Sequence, residues 1–243
     1  MKLSSPRAIL LDLDDTILAF ESIKEKCWNI VAVDYSAQLG GIPPGEFVST
    51  VMKCSEWFWS DAERGRAWRQ DLGAARVEIL GMAMGELGIY NEDTCRQIAG
   101  YYSRLRTEKI ELIPGALDTV MAFRKSGIKT ALITNGSSES QRQKIDRFGL
   151  GEHFDQILIE GENDFGKPDE RIYRKALNGL GIEAEDAWMI GDNIVWDVLA
   201  PQKLGIKGIW VDYRNQGFKS RNGRRPFLRI NSLPEILVHM DLH

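Results

Sequence analysis

Ala8-Ile9-Leu10-Leu11-Asp12-Leu13-Asp14-Asp15-Thr16 is an apolar run of strand length that ends in two carboxylates one residue apart. Continuous aliphatic runs are typical of parallel strands buried on both faces, so the run predicts a central strand with its acids at the carboxyl end. In open α/β sheets ligands bind at that edge. Two carboxylates held there repel each other unless a cation or a shared proton relieves the repulsion. A nucleophilic carboxylate on Mg²⁺, beside a carboxylic acid that donates a proton, satisfies both needs.

The rest of the second half follows the same rhythm. Thr130–Thr134, Gln156–Ile159, Ala187–Ile190 and Gly208–Val211 are further buried-strand segments. Helical patterns fill the gaps at Ala116–Lys125, Glu139–Phe148, Glu170–Leu180 and about Val198–Leu204. Strands alternating with helices predict an α/β fold, a Rossmann-like doubly wound parallel sheet. Between Phe20 and Glu111 the pattern is helical only, with segments at Glu21–Leu39, Gly45–Trp59, Ala74–Leu87 and Asp93–Lys109. The expected organisation is therefore a catalytic core of residues 1–19 and 112–243 with a helical cap inserted at residues 20–111. Its place directly after the acidic strand end suits a lid.

Composition narrows the function classes. The 243 residues carry a net charge of −4, which gives no electrostatic case for nucleic acid or an anionic membrane as partner. The first residues lack the apolar region of a secretory signal, and no stretch approaches the roughly 18 apolar residues of a membrane span. Cys27, Cys54 and Cys95 are an odd number without metal-ligand spacing, consistent with reduced thiols and a cytoplasmic location. The expected form is a monomer or homodimer.

Phosphoryl transfer needs an in-line nucleophile, a cation against the phosphate and donors for its oxygens. Asp12 is the expected nucleophile, and Asp14 the acid that protonates the leaving oxygen and later takes a proton from water. Both acids also suit plain turn or capping roles. Ile133-Thr134-Asn135-Gly136-Ser137-Ser138 ends the next strand with hydroxyl, amide and backbone donors before a helix start, which makes Thr134 and Asn135 phosphate ligands. Lys167, in Gly166-Lys167-Pro168-Asp169, can neutralise Asp12 and the transferring group. Asp192, in Ile190-Gly191-Asp192-Asn193, completes an oxygen set for Mg²⁺ with Asp12 and the main-chain carbonyl of Asp14. Asp197 fits the holding of Lys167 or of a metal-bound water, or a helix cap.

The ordered set Asp12-Leu13-Asp14-Asp15-Thr16, Thr134-Asn135-Gly136, Lys167-Pro168 and Gly191-Asp192 through Asp197 resembles the haloacid dehalogenase-like hydrolase superfamily over essentially the whole chain. The resemblance implies a Rossmann-like core, a helical cap of the family's first type, Mg²⁺ dependence and an aspartyl-phosphate intermediate. The dehalogenases of the superfamily lack the second acid, so Asp14 places the chain with the phosphatases. Asp15-Thr16 and Thr134-Asn135-Gly136 further resemble phosphatases of small metabolites, sugar phosphates or nucleoside monophosphates. A phosphotransferase or phosphomutase is the nearest alternative. A haloacid dehalogenase, or a non-catalytic regulatory protein on the same scaffold, fits less well.

In the helical segment, Trp57 and Trp59 can stack on a base or sugar while Arg64 and Arg66 grip a second anionic group. The same residues equally suit the core and wet face of a small helical domain. Arg214, Lys219, Arg221, Arg224, Arg225 and Arg229 surround an Asn222-Gly223 turn, either an anion-binding hairpin or a solvated loop before a last edge strand at Phe227–Ile230. His153, His239 and His243 have no ligand spacing.

Overall fold

The computed structural model describes residues 3–218 and 224–241. The chain divides into two compact units, one of Met1–Ala19 with Glu111–His243 and one of Phe20–Ile110.

In the first unit, strand β1 (Ala8–Leu11) is fully buried, as its uninterrupted aliphatic sequence requires. A short strand β2 (Leu18–Ala19) follows. The second unit then supplies α1 (Lys24–Asp34), α2 (Pro44–Ser60), α3 (Ala62–Trp68), α4 (Leu72–Glu86) and α5 (Glu92–Lys109). On return, β3 (Glu111–Leu112) pairs antiparallel with β2. The α/β alternation continues through α6 (Ala116–Lys125), β4 (Lys129–Thr134), α7 (Ser138–Arg147), β5 (Gln156–Ile159) and α8 (Glu170–Leu180). It ends with β6 (Ala187–Gly191), β7 (Lys207–Val211) and β8 (Leu228–Ile230).

The six-stranded sheet has the order β5-β4-β1-β6-β7-β8, and every neighbouring pair is parallel. The chain builds outward from β1 on one side, then crosses back and builds outward on the other. β1 is therefore the strand at which the order reverses, where the crevice of a doubly wound sheet opens. Asp12 extends the ladder, donating its N–H to the Ile190 carbonyl at 3.0 Å. On one face of the sheet, Leu10, Ile133, Leu158 and Met189 pack against Ile172, Tyr173 and Leu180 of α8.

Local sequence explains most element ends. Asn91, Asp71 and Asp61 each cap a helix by accepting the N–H three residues on, at 2.9, 2.9 and 2.7 Å. The last of these starts α3, a helix the sequence reading leaves out, because Gly65 in its interior weakens the periodic signal. The expected long helix Glu21–Leu39 is shorter: a 3₁₀ turn, Glu21–Ile23, leads into α1, and the chain turns after Asp34. The expected helix near Val198–Leu204 is instead a π-helical segment, Ile194–Leu199, followed by a 3₁₀ turn, Pro201–Leu204. Pro201 has no N–H to continue a ladder, and Asn193 starts the π-helix by accepting from the Val195 and Trp196 N–H groups, both at 3.1 Å.

The helical unit has its own core, with Trp28, Phe47, Val51, Phe58, Leu80, Met84, Ile98 and Tyr102 buried together. The Trp28 and Tyr102 rings stack with centroids 3.7 Å apart. No helix among the described residues is long and apolar enough to cross a membrane.

Candidate active site

The carboxyl ends of β1, β4 and β6 and the loop after β5 bring together the residues the sequence singles out. Lys167 anchors them. The residue is 1% exposed, and its Nζ donates to Asp12 Oδ1 at 2.5 Å and to Asp197 Oδ1 at 2.7 Å. Burial lowers the pKa of this ammonium, but the two carboxylates outweigh that and raise it. Asp197, fully buried, spends its other oxygen on the Asn193 N–H at 3.0 Å. Both its oxygens are thus engaged, one by Lys167 and one by the main chain of Asn193. Gly191 makes room for it: a Cβ there would lie 2.4 Å from the Asp197 carboxylate.

Asp12 keeps one oxygen comparatively open, since among the described residues Oδ2 accepts only a long bond, 3.5 Å, from the Thr16 hydroxyl. Oxygen atoms of Asp12, Asp192 and Asp197 lie within 4.8 Å of one another. Desolvation, opposed by Lys167 and reinforced by Asp197, pushes the Asp12 carboxyl up to about 7. Desolvation and the charges of Asp12 and Asp197 push Asp192 up to about 9. Among the described residues no hydrogen-bond donor reaches the Asp192 carboxylate, while its main-chain carbonyl accepts from Trp210 Nε1 at 2.8 Å. An undonated carboxylate facing a half-satisfied one is a donor set suited to a hard divalent cation. Mg²⁺ takes one or two carboxylates and keeps its waters.

The loop after β4 is more internally committed than its sequence suggests. Both amide atoms of Asn135 bracket the main chain of Lys167, Nδ2 donating to its carbonyl at 2.6 Å and Oδ1 accepting its N–H at 2.8 Å. The Asn135 side chain therefore fixes the lysine rather than standing open to an anion. Gly166 permits this approach, because a Cβ there would fall 2.5 Å from Asn135 Oδ1. The Gly136 N–H donates to Glu160 Oε2 at 3.1 Å. Thr134, buried at the end of β4, accepts a short hydrogen bond from Gln141 Nε2, which leaves its own hydroxyl proton to donate.

Asp14 stands in a separate setting. Lys144 Nζ donates to both of its carboxylate oxygens, at 2.8 and 2.7 Å, and Gln141 Nε2 reaches Oδ2 at 3.2 Å. The sequence reading misses Gln141, Lys144 and Glu160. For Gln141 and Lys144 the signal is weak: α7 is almost wholly polar, and only its register shows which polar residues turn inward; Glu160 follows β5 directly and carries no pattern that marks it.

The residues singled out in the helical unit divide. Arg64 donates to the Phe58 and Trp57 carbonyls at 2.6 and 2.7 Å and lies 4.1 Å over the Trp57 ring, which ties it to the last turn of α2. Trp59 packs against the unit's core, edge-on to Phe58, whereas Trp57 is 57% exposed. Arg66 sits in the last turn of α3. Of the basic C-terminal segment, Lys219, Arg221 and the Asn222-Gly223 turn lie outside the described residues, as does His243. Arg229 pairs with buried Asp212 at 2.8 Å, and Arg214 donates to the Tyr213 hydroxyl at 2.8 Å.

Residues 6–205 match the family model of haloacid dehalogenase-like hydrolases. The chain belongs to that family. It is 35% identical over 167 residues to the phosphoserine phosphatase of Thermus thermophilus, a match covering 68% of this chain and 65% of that one. A glyceraldehyde 3-phosphate phosphatase of Pyrococcus furiosus is 30% identical over 112 residues, covering 46% of this chain and 47% of its own. The chain thus spans between about half and two thirds of the length of these relatives. The pyrimidine 5'-nucleotidase YjjG of Escherichia coli is 26% identical over 94% of this chain and 95% of its own length. Among solved structures, the HAD-hydrolase YfnB of Bacillus subtilis, bound to magnesium, superposes with a TM-score of 0.77 at 21% identity, covering 98% of this chain and 99% of that one, which shows a shared fold.

Proposed function

We propose that this chain is a Mg²⁺-dependent phosphomonoester hydrolase acting on a small phosphorylated metabolite, a sugar phosphate or nucleoside monophosphate, through an aspartyl-phosphate on Asp12. The observation that carries the reading is the state of Asp12. One oxygen is pinned by buried Lys167 and the other carries a long bond, 3.5 Å, from the Thr16 hydroxyl, at the strand where the sheet order reverses. The relatives named above bear the names of enzymes acting on small phosphorylated compounds, which supports the substrate class.

Asp12 Oδ2 attacks phosphorus, forming an O–P bond as the bond to the leaving oxygen breaks, and that oxygen takes the Asp14 proton. A water oxygen then attacks the phosphorus of the acyl phosphate. Its proton goes to Asp14, and Asp12 leaves as a carboxylate. Lys167 holds Asp12 in line and offsets charge on the transferring group, and the Thr134 hydroxyl donates to a phosphate oxygen. A Mg²⁺ held by Asp12, Asp192 and the Asp14 carbonyl would supply charge neutralisation between nucleophile and phosphate. Three free, buried cysteines support placing the reaction in the cytoplasm.

The test is phosphate release from a panel of sugar phosphates, nucleoside monophosphates and aryl phosphates, with Mg²⁺ and with EDTA. Metal-dependent release from some members is expected. Transfer to an added alcohol in place of release would turn the reading to a phosphotransferase. Silence across the panel from folded protein would overturn it.

A further inference from the structure

Gln141 and Lys144 lie three residues apart in α7 and so share one helix face. They are 2% and 7% exposed, in a helix whose other polar residues are mostly solvated. Burying an ammonium and an amide costs free energy that anchoring a surface helix does not require. Both side chains converge on one carboxylate, Asp14. Gln141 Nε2 also donates to Thr134, so a single amide nitrogen spans two acceptors and links the acid to the loop after β4.

We propose that Lys144, assisted by Gln141, is the positioning residue for Asp14 in the proton transfers of the hydrolysis, an inference that rests on the phosphatase reading above. Asp14 sits on a turn whose next residue, Asp15, has φ 59°, and its carboxylate is held by Lys144 and Gln141 of α7. Two contacts from one ammonium fix both side-chain torsions. Lys144 touches no reacting atom; it fixes where the proton is delivered. A misplacement of about 1 Å in such a group costs about 10²-fold in rate.

The experiment compares turnover of alkyl phosphates, whose leaving oxygen needs a proton, with p-nitrophenyl phosphate, whose leaving group does not. The proteins are wild type, Asp14→Asn, Lys144→Met, Lys144→Arg and the Asp14→Asn/Lys144→Met double variant. Lys144→Met is expected to lower kcat on alkyl phosphates about 10²-fold more than on the aryl ester, with KM little changed. Lys144→Arg is expected to restore part of the loss. The double variant should be no slower on alkyl phosphates than Asp14→Asn alone, since the two act as one unit. In metal-free protein the melting-temperature shifts of the two single variants should likewise fail to add. Retained aryl turnover reports a folded protein, and Lys144→Gln provides the same reading where the Met variant does not fold. Equal loss on both substrates, or multiplying losses in the double variant, would overturn the inference. If Asp14→Asn shows the alkyl selectivity and Lys144→Met does not, only the Lys144 inference fails. If Asp14→Asn shows none, the acid assignment fails and the inference fails with it.

Discussion

The two units solve the problem of a buried charge in opposite ways. In the helical unit, the buried Arg106 guanidinium is met by neutral groups. It lies 4.0 Å over the Phe20 ring and donates to the Tyr102 hydroxyl and the Phe20 carbonyl, both at 2.7 Å. Its Nε is left without a partner among the described residues. At the carboxyl edge of β1, by contrast, Lys167 faces Asp12 and Asp197, and Lys144 faces Asp14. Dipoles and a ring face stabilise a charge that stays fixed. Opposed full charges form a compact polar set of the kind that proton transfer and metal binding use. The difference separates a charge that props up a fold from charges that can do chemistry.

The hardest way to break this contrast is at Asp12. Asp12→Asn keeps the volume but removes the attacking carboxylate, so phosphate release should fall by about 10⁴-fold or more with the protein still folded. Turnover near that of wild type would remove Asp12 from the mechanism. Lys167→Met comes next, because it leaves two buried carboxylates facing each other. Denaturant unfolding of the metal-free protein should show a loss of about 3–5 kcal/mol. A loss below about 1 kcal/mol would mean that water reaches the site freely.

Acidity offers a finer test. In the metal-free fold Asp12 and Asp192 are raised from the ordinary aspartate value of 3.8 to about 7 and about 9. Across that window the folded state holds protons that the unfolded chain has released. Stability in EDTA should therefore be greatest near and below pH 4 from these groups, and fall as the pH rises through 7 toward 9. Mg²⁺ competes with the same protons, so the rise in melting temperature it produces should be larger at pH 8 than at pH 6. A Mg²⁺-induced shift that is independent of pH would argue against these two acids as the ligands.

The smallest expected effect lies in the helical unit. Trp57 is exposed and its ring stacks under Arg64, so Trp57→Ala should cost less than about 1 kcal/mol. Its kcat/KM across the substrate panel separates the two uses of this ring. Uniform values would leave Trp57 a partner of Arg64, and losses confined to particular substrates would make it a reader of the group beyond the phosphate.

What could be read directly from the chain was local. Largely apolar runs of four or five residues placed β1, β4, β5, β6 and β7 to within a residue or so, because a strand buried on both faces admits few other side chains. The candidate site residues at their ends were legible for the same reason, since an abrupt change from Ile or Leu to Asp, Thr or Gly marks where a strand leaves the core. Lys167 was legible only by its position after β5, and Asp197 only by analogy of placement. Tertiary structure decided the rest. Strand order put β1 between β4 and β6, which no local pattern encodes. Close approach over Gly166 and Gly191 committed Asn135 to Lys167 and Asp197 to both Lys167 and Asn193. The register of α7 turned Gln141 and Lys144 inward, though by residue type they match the solvated neighbours beside them. Hydrophobic periodicity reports burial of apolar groups one element at a time. The pairing of buried charges is a property of several elements at once, and it exists only when they have been packed together.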